Sequence, residues 1–245
     1  MSKILIIQKC MKRYFSNKRN IYYNLKKINI INTFKSELSG YHLINKEPCK
    51  ESVWEEINRN IVNKYHITSD HANGNHLSGK DNKFGIWNIS NKTSKLNNNI
   101  VNLSSYRLSS QCNEKNCGSI GNIKDEIIKR DSSFDYYSLL IRDEKDDNII
   151  KYYWYIIPRD YYLFDVNKYD WSPKIGKNGK KKDCQVGWQS KYMDITFSMS
   201  SQLWYHFDIA LIEKYLITSI DINKNNYNNI TYSDLYHLLV KSNFI

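Results

Sequence analysis

The stretch that decides the fold is HLSGKDNKFGIWNISNKTSK, residues 76–95. Its one carboxylate, Asp81, lies in a turn that is bounded by glycines, and we predict a strand over Phe84–Thr93 directly after it. An acid at a strand entrance and a lysine about ten residues later can hold a divalent cation beside a phosphate. The cation needs hard oxygen ligands, and the lysine balances developing negative charge.

The segment before this stretch predicts helices. Apolar residues at helical spacing favour a helix from about Asn20 to Phe34, ended by Ser39-Gly40, and a clearer helix over Glu51–Tyr65. Glutamates occupy the first turns of the second helix, where they complement the helix dipole. The alternative is that Glu55 or Glu56 points into a site.

The segment after it predicts a mixed sheet. A short helix is expected over Ile123–Arg130, and the strongest strands are Phe134–Ile141 and Ile149–Ile157, joined by an acidic hairpin turn. Further predicted elements are a strand over Tyr192–Ser198, a strand or helix over Leu203–Tyr215, and a helix over Asp234–Lys241. The predicted fold class is α/β (α+β), with a mixed central β-sheet flanked by helices.

The positive charge is concentrated at the N-terminus. The formal net charge is +11, and residues 1–36 hold nine Lys or Arg and no acid, which leaves 27 basic and 25 acidic residues in the remainder. We therefore predict a basic N-terminal extension over residues 1–36 and a single domain over residues 37–245. A basic arm suits a polyanion such as DNA or RNA, and an organellar targeting segment is the alternative.

Composition also narrows the cellular setting. No apolar run approaches the ~20 residues that a membrane span requires, so no membrane association is expected. The five cysteines form an odd, sparse set that favours a reducing, cytoplasmic compartment over a disulfide framework. Cys112 and Cys117 have no second pair that would complete a zinc site.

A second basic feature covers Lys174–Lys182, in which five lysines and two glycines lie between Trp171 and Trp188. A flexible cationic loop of this kind can enter a DNA groove or follow phosphates. The alternative is a solvated surface loop.

Asp81 together with Ser90-Asn91-Lys92 resembles the core of the PD-(D/E)XK nuclease superfamily, especially type II restriction endonucleases. That pattern places an acid at one strand and an acid-x-lysine element on the next, in an αβββαβ order, and the resemblance covers residues 50–215. Ser90 departs from it, because the pattern has Asp or Glu there. Some members with Ser-x-Lys recruit a glutamate from a helix, and the candidates here are Glu56, Glu55 and Glu126.

The resemblance implies a restriction-endonuclease-like core and a sequence-specific, Mg²⁺-dependent endonuclease acting on double-stranded DNA as a homodimer. Asp81, Ser90, Lys92 and Glu56 are the implied catalytic residues. The implied metal ligands are Asp81, Glu56 and the backbone carbonyl near Asn91, with Lys92 orienting the attacking water. The candidate DNA-binding residues are Arg107, Lys177, Asn178, Lys180, Lys181, Gln185 and Gln189.

Two other functions remain open. His71 and His76 invite an HNH-type nuclease, in which a histidine activates water, although the cysteine zinc clamp is missing from the sequence. A basic nucleic-acid-binding protein without a hydrolytic site is the non-enzymatic alternative, and it predicts strongly salt-dependent binding without cleavage.

Overall fold

The computed structural model describes Ile21, Leu25 and residues 30–64, 81–84, 87–112, 117–177, 179–198, 201–227 and 230–242. The α-helices are α1 (Ile30–Ile44), α2 (Glu51–Asn63), α3 (Ile120–Asp131), α4 (Lys224–Tyr227) and α5 (Tyr232–Lys241). The strands are β1 (Asn82–Phe84), β2 (Trp87–Asn97), β3 (Ile100–Arg107), β4 (Tyr136–Asp143), β5 (Ile149–Pro158), β6 (Ser172–Ile175), β7 (Gln185–Gln189), β8 (Met193–Phe197), β9 (Gln202–Asp208) and β10 (Leu216–Asn223). Short 3₁₀ helices cover Tyr162–Phe164, Val166–Lys168, Gly179–Lys181 and Ile209–Tyr215.

The described strands form one mixed sheet in the order β10-β5-β4-β2-β3-β9-β8-β7-β6, with β1 paired to β2. β2 and β4 are parallel, and the other pairs between described strands are antiparallel. The prediction of a mixed sheet flanked by helices is therefore confirmed. The two edges of the sheet are β10 and β6, and Pro173 lies in β6.

Two local predictions need correction, and one open alternative is resolved. Ser39-Gly40 does not end a helix, because α1 runs through it; a Cβ on Gly40 would meet nothing within 4 Å, so the glycine lies on an open helix surface. The single strand predicted over Phe84–Thr93 is two antiparallel strands, β1 and β2. The segment Leu203–Tyr215, expected to be a strand or a helix, contains both: Leu203–Asp208 lies in β9, and Ile209–Tyr215 is a 3₁₀ helix.

The predicted boundary at residue 36 falls inside α1. Ile21, Leu25 and Phe34 are buried in the core, and α1 packs against α2 and β10. Residues 1–20, which carry six of the nine N-terminal basic residues, lie outside the described part of the chain. The polyanion-binding role of that arm stays a prediction.

Each face of the sheet buries its own hydrophobic core. The face under α1 and α2 packs Phe34, Trp54 and Trp154, whose rings lie 5.4–6.1 Å apart between centroids. The opposite face packs Leu103, Tyr205 and Phe207 with the side chains of α3 and of the 3₁₀ helices. Strand residues alternate between the two cores because successive side chains point to opposite faces.

None of the helices in the described ranges is both long and apolar enough to cross a membrane.

We expect Trp54→Ala to lower the free energy of unfolding by about 3–5 kcal/mol, because the ring is fully buried and its removal leaves a cavity. The substitution also removes the 3.2 Å hydrogen bond that the indole N–H donates to the Ser138 carbonyl oxygen. Urea denaturation measures the change. Tyr236→Ala, at a residue 57% exposed on α5, should change the value by less than about 0.5 kcal/mol; equal losses in both variants would contradict this packing.

Candidate active site

The site forms where the sheet splits along one edge of β2. β4 pairs with one edge of β2, from Ile89 to Lys95. β1 and β3 also pair with residues of β2 in that span, so both lie along its other edge, one after the other. β1 pairs as far as Ile89, and β3 begins to pair at Ser94. Residues 90–93 therefore face a gap between β1 and β3.

Asp81 fills part of this gap. Its backbone N–H donates to the Ile89 carbonyl oxygen, and its Oδ2 accepts from the backbone N–H of Asn91 at 2.5 Å and from Ser90 Oγ at 3.4 Å. The carboxylate thus replaces a missing strand as the acceptor for Asn91. Burial raises the pKa of Asp81, although Lys92 and the Asn91 N–H oppose the shift.

Lys92 is the cation of the site. Its Nζ lies 2.7 Å from Glu51 Oε1 at the start of α2, and its side chain is only 10% exposed. Burial alone would lower the pKa of Lys92, but the neighbouring Glu51 and Asp81 outweigh it and the pKa is raised. Lys92 is therefore a charged ammonium at neutral pH.

Glu55 is the second helix glutamate beside the gap. It lies one turn after Glu51 on α2, and its backbone oxygen accepts from Asn82 Nδ2 at 3.2 Å, which ties α2 to β1. Burial, with Asp81 and Glu51 close by, raises the pKa of Glu55 to about 7, while Lys92 opposes the rise. This carboxyl is therefore partly protonated at neutral pH.

A buried polar cluster holds α2 over β2 and β4. Asn58 Nδ2 donates to Asn91 Oδ1 at 2.5 Å and to Ser138 Oγ at 2.6 Å, and Trp154 Nε1 donates to the same Ser138 hydroxyl. Asn58, Asn91 and Ser138 are fully buried. The Asn91 side chain thus serves packing, while its backbone N–H serves Asp81.

The three candidate glutamates are placed very differently. Glu55 faces Asp81 and Lys92, whereas Glu56 is exposed. Glu126 lies on α3 and pairs with Arg130 on the same helix at 2.7 Å. Of the three, the described structure brings only Glu55 to the gap.

Sequence reasoning missed Glu51, which was interpreted as dipole complementarity. The signal was its spacing of four residues before Glu55, because residues i and i+4 share a helix face. It also missed Asp131, whose carboxylate accepts from the hydroxyls of Tyr106 at 2.6 Å and Tyr137 at 3.0 Å. Burial raises the pKa of Asp131 to about 6, although both hydrogen bonds and the positive charges of Arg159 and Lys92 oppose the rise.

The oxygen atoms of Asp81, Glu51 and Glu55 are the ligand type that Mg²⁺ prefers. Among the described residues, however, no three His, Cys, Asp or Glu side chains are grouped closely enough to hold a metal ion. Glu51 is bonded to Lys92 instead. The three carboxylates are thus of the right chemical type for Mg²⁺, but their side chains must rearrange before they can bind one ion together.

The candidate DNA-binding residues lie on the far part of the sheet. β6 and β7 form a two-stranded ribbon at its edge, and Lys177, Lys181, Gln185 and Gln189 on it are exposed. Arg107 is exposed at the end of β3, opposite Gln202 of β9.

Other predicted residues cannot be placed in the fold. Asn178, the Lys180 side chain, His71 and His76 lie outside what the structure describes.

The chain matches no protein-family model, no curated protein and no solved structure. Function must therefore be argued from the geometry of the site.

We expect Lys92→Met to destabilise the protein strongly at pH 8, because Asp81, Glu51 and Glu55 then lack their cation. The loss should fall toward the lower end of roughly 3–5 kcal/mol, since Glu51 is 37% exposed. At pH 5 the loss should shrink, because Glu55, with a pKa of about 7, is protonated there. The raised pKa of Lys92 keeps its own contribution intact at both pH values.

Urea unfolding at the two pH values measures this loss. Lys95→Met is the matched control, since Lys95 is 46% exposed in its pair with Glu144, and an exposed pair contributes about 0–1 kcal/mol. A loss for Lys92→Met that does not depend on pH would show that the acids are not coupled to this lysine.

Proposed function

We propose that the chain is a Mg²⁺-dependent endonuclease that hydrolyses phosphodiester bonds in double-stranded DNA, as the resemblance to PD-(D/E)XK enzymes implies. One observation carries the proposal: Asp81 and Lys92 lie at the gap in the sheet edge, with Glu51 paired to Lys92 and Glu55 near enough to interact electrostatically with all three. The order α2-β1-β2-β3-α3-β4 supports it, because it is the αβββαβ order that the resemblance implies.

Asp81, Glu55 and Glu51 are the residues that would hold Mg²⁺, which when bound polarises a phosphate and lowers the pKa of a coordinated water. Lys92 is already protonated, so it acts as a donor that orients water and neutralises negative charge on the phosphate. Its raised pKa argues against a role as general base.

Glu55 is the ligand that makes cation binding depend on pH. Its carboxyl has a pKa of about 7 in the free site, so it would release a proton when it binds Mg²⁺ near neutral pH. Ser90 does not supply the missing acid of the motif. It donates a hydrogen bond to Asp81, and Glu55 takes over the acidic role from the helix.

The DNA duplex is proposed as the partner because the ribbon of β6 and β7 presents exposed lysines at the tip, Lys177, Lys181 and Lys182. Lysines bind phosphates without regard to sequence, and amides such as Gln185 and Gln189 read base edges. A homodimer would match the two-fold symmetry of a palindromic site, and it stays a prediction.

A nucleic-acid-binding protein without hydrolytic activity is the second candidate. It is favoured by the absence, within the described ranges, of a group of three acids or other ligands arranged for a metal ion. In that case the Lys92–Glu51 pair is a structural contact that joins α2 to β2.

The test of the nuclease is cleavage of long DNA into discrete bands with Mg²⁺, abolished by EDTA. Glu55→Gln should lower the cleavage rate by about 100-fold or more, because a neutral amide replaces a charged oxygen ligand and even changes to the groups that orient metal ligands cost about 10–100-fold. Glu56→Gln, one residue along α2 on an exposed side chain, should cut at the wild-type rate. Equal rates for the two variants would remove Glu55 from the mechanism, and no cleavage by wild-type protein would favour the second candidate.

Mg²⁺ binding should also be visible without DNA. Because metal ligands must be deprotonated and the pKa of Glu55 is about 7, millimolar Mg²⁺ should raise the Tm more at pH 8 than at pH 6. Glu55→Gln should reduce this difference, whereas Glu126→Gln on α3 should preserve it. A Tm that does not respond to Mg²⁺ at either pH would count against a cation at this gap.

A further inference from the structure

Beyond β2, one face of the sheet carries no described helix. α2 packs on β1 and β2, and α1 packs on β10. The next five strands in the sheet are β3, β9, β8, β7 and β6. Because paired residues point to the same face, the register places one set of polar side chains from these strands on the same side of the sheet as α2. This open face consists of Asn102, Ser104, Gln202, Trp204, His206, Asp194, Thr196, Gln189 and Lys174, and each is half-buried or exposed.

These nine side chains form the floor of the open face, which is polar, and its charged groups pair with one another. The two ring nitrogens of His206 contact Asn102 Oδ1 at 2.6 Å and Thr196 Oγ1 at 2.7 Å, and Lys174 pairs with Asp194. Burial, helped by Lys174, lowers the pKa of His206 to about 4, so the ring is neutral. The floor therefore neither repels nor strongly attracts an anion.

Trp204 is the one large apolar ring among these floor residues. It lies opposite Ser104 on β3 and Thr196 on β8, in the middle of the floor, and part of its ring is accessible. Its neighbours in the strand, Leu203 and Tyr205, point the other way into the core. A large apolar ring on a polar floor suits contact with sugars or bases.

Cations border the floor on both sides. Lys95 and Arg107 stand near β3, although Glu144 pairs with Lys95. Lys177, Lys181 and Lys182 stand at the ribbon tip. Five strands span four spacings, or about 19 Å, so the floor is wide enough to face a major groove of about 12 Å. The cations at its two sides, the rim cations, can then contact the phosphates beyond the groove.

We propose that a DNA duplex lies across the open face, with Trp204 contacting the groove and the rim cations contacting phosphates. The choice of DNA rests on the proposed function, and the position of the surface rests on the strand register. β3 borders both the open face and the gap that holds Asp81 and Lys92, so a duplex on the floor lies beside that gap.

The test is fluorescence anisotropy of the full chain with a labelled duplex in EDTA, where no Mg²⁺-dependent cleavage occurs. Trp204→Ala should weaken binding about tenfold, because the contact of the ring with the sugars and base edges of the groove is lost, and Trp204→Phe should recover most of the affinity. Tyr236→Ala on α5, another exposed aromatic, should bind as the wild type does. Far-UV circular dichroism confirms that each variant is folded.

A second variant changes two of the cations that border the floor and leaves the floor residues unchanged. Lys177→Gln combined with Lys181→Gln should reduce the slope of log K against log salt by about 2, because each phosphate contact contributes about 0.9. An unchanged slope together with wild-type affinity for Trp204→Ala overturns the surface, as does tighter binding to single-stranded DNA or to anionic vesicles. Duplex binding that depends on Trp204 without any cleavage in Mg²⁺ supports the surface and overturns the nuclease.

Discussion

The structure depends on an interruption in the pairing of one strand. β2 pairs continuously with β4 on one side, but on the other side β1 stops at Ile89 and β3 starts at Ser94. A buried backbone N–H without a partner is costly, and Asp81 supplies the acceptor for Asn91. A hydrogen-bond acceptor is thus required at this position by the backbone itself. The negative charge of Asp81 attracts Lys92, which in turn pairs with Glu51 of α2.

The same interruption explains how a single helix both packs on the sheet and places acids beside the gap. The buried face of α2 is held by Trp54 and Asn58, which bond to β2 and β4 below. Glu51 and Glu55 lie on the turns that reach the gap. The rigid indole and amide contacts fix where the two carboxylates stand, so the charges of the site do not have to hold the helix in place.

Patterns in the sequence predicted the parts of the site that are local. Asp81, Lys92 and Glu55 were all candidates because a turn acid, a strand lysine and a helix acid each have a recognisable neighbourhood. Choosing Glu55 over Glu56 or Glu126 was beyond the sequence, because it depends on the rotation of α2 about its axis. The helix over Glu51–Asn63 and the hairpin of β4 and β5 matched strong periodicity, whereas the break predicted at Ser39-Gly40 failed because packing against α2 and β10 outweighs the low helix propensity of glycine.

The outermost strand, β6, has a consequence for the protein in a crowded solution. A sheet edge exposes a row of unpaired donors and acceptors that can recruit a strand from a neighbouring molecule. Pro173 has no N–H to offer such a strand, and the lysines of the adjoining tip repel a second copy. The lateral growth of the sheet into fibres is thus discouraged at the edge that adjoins the lysine-rich tip.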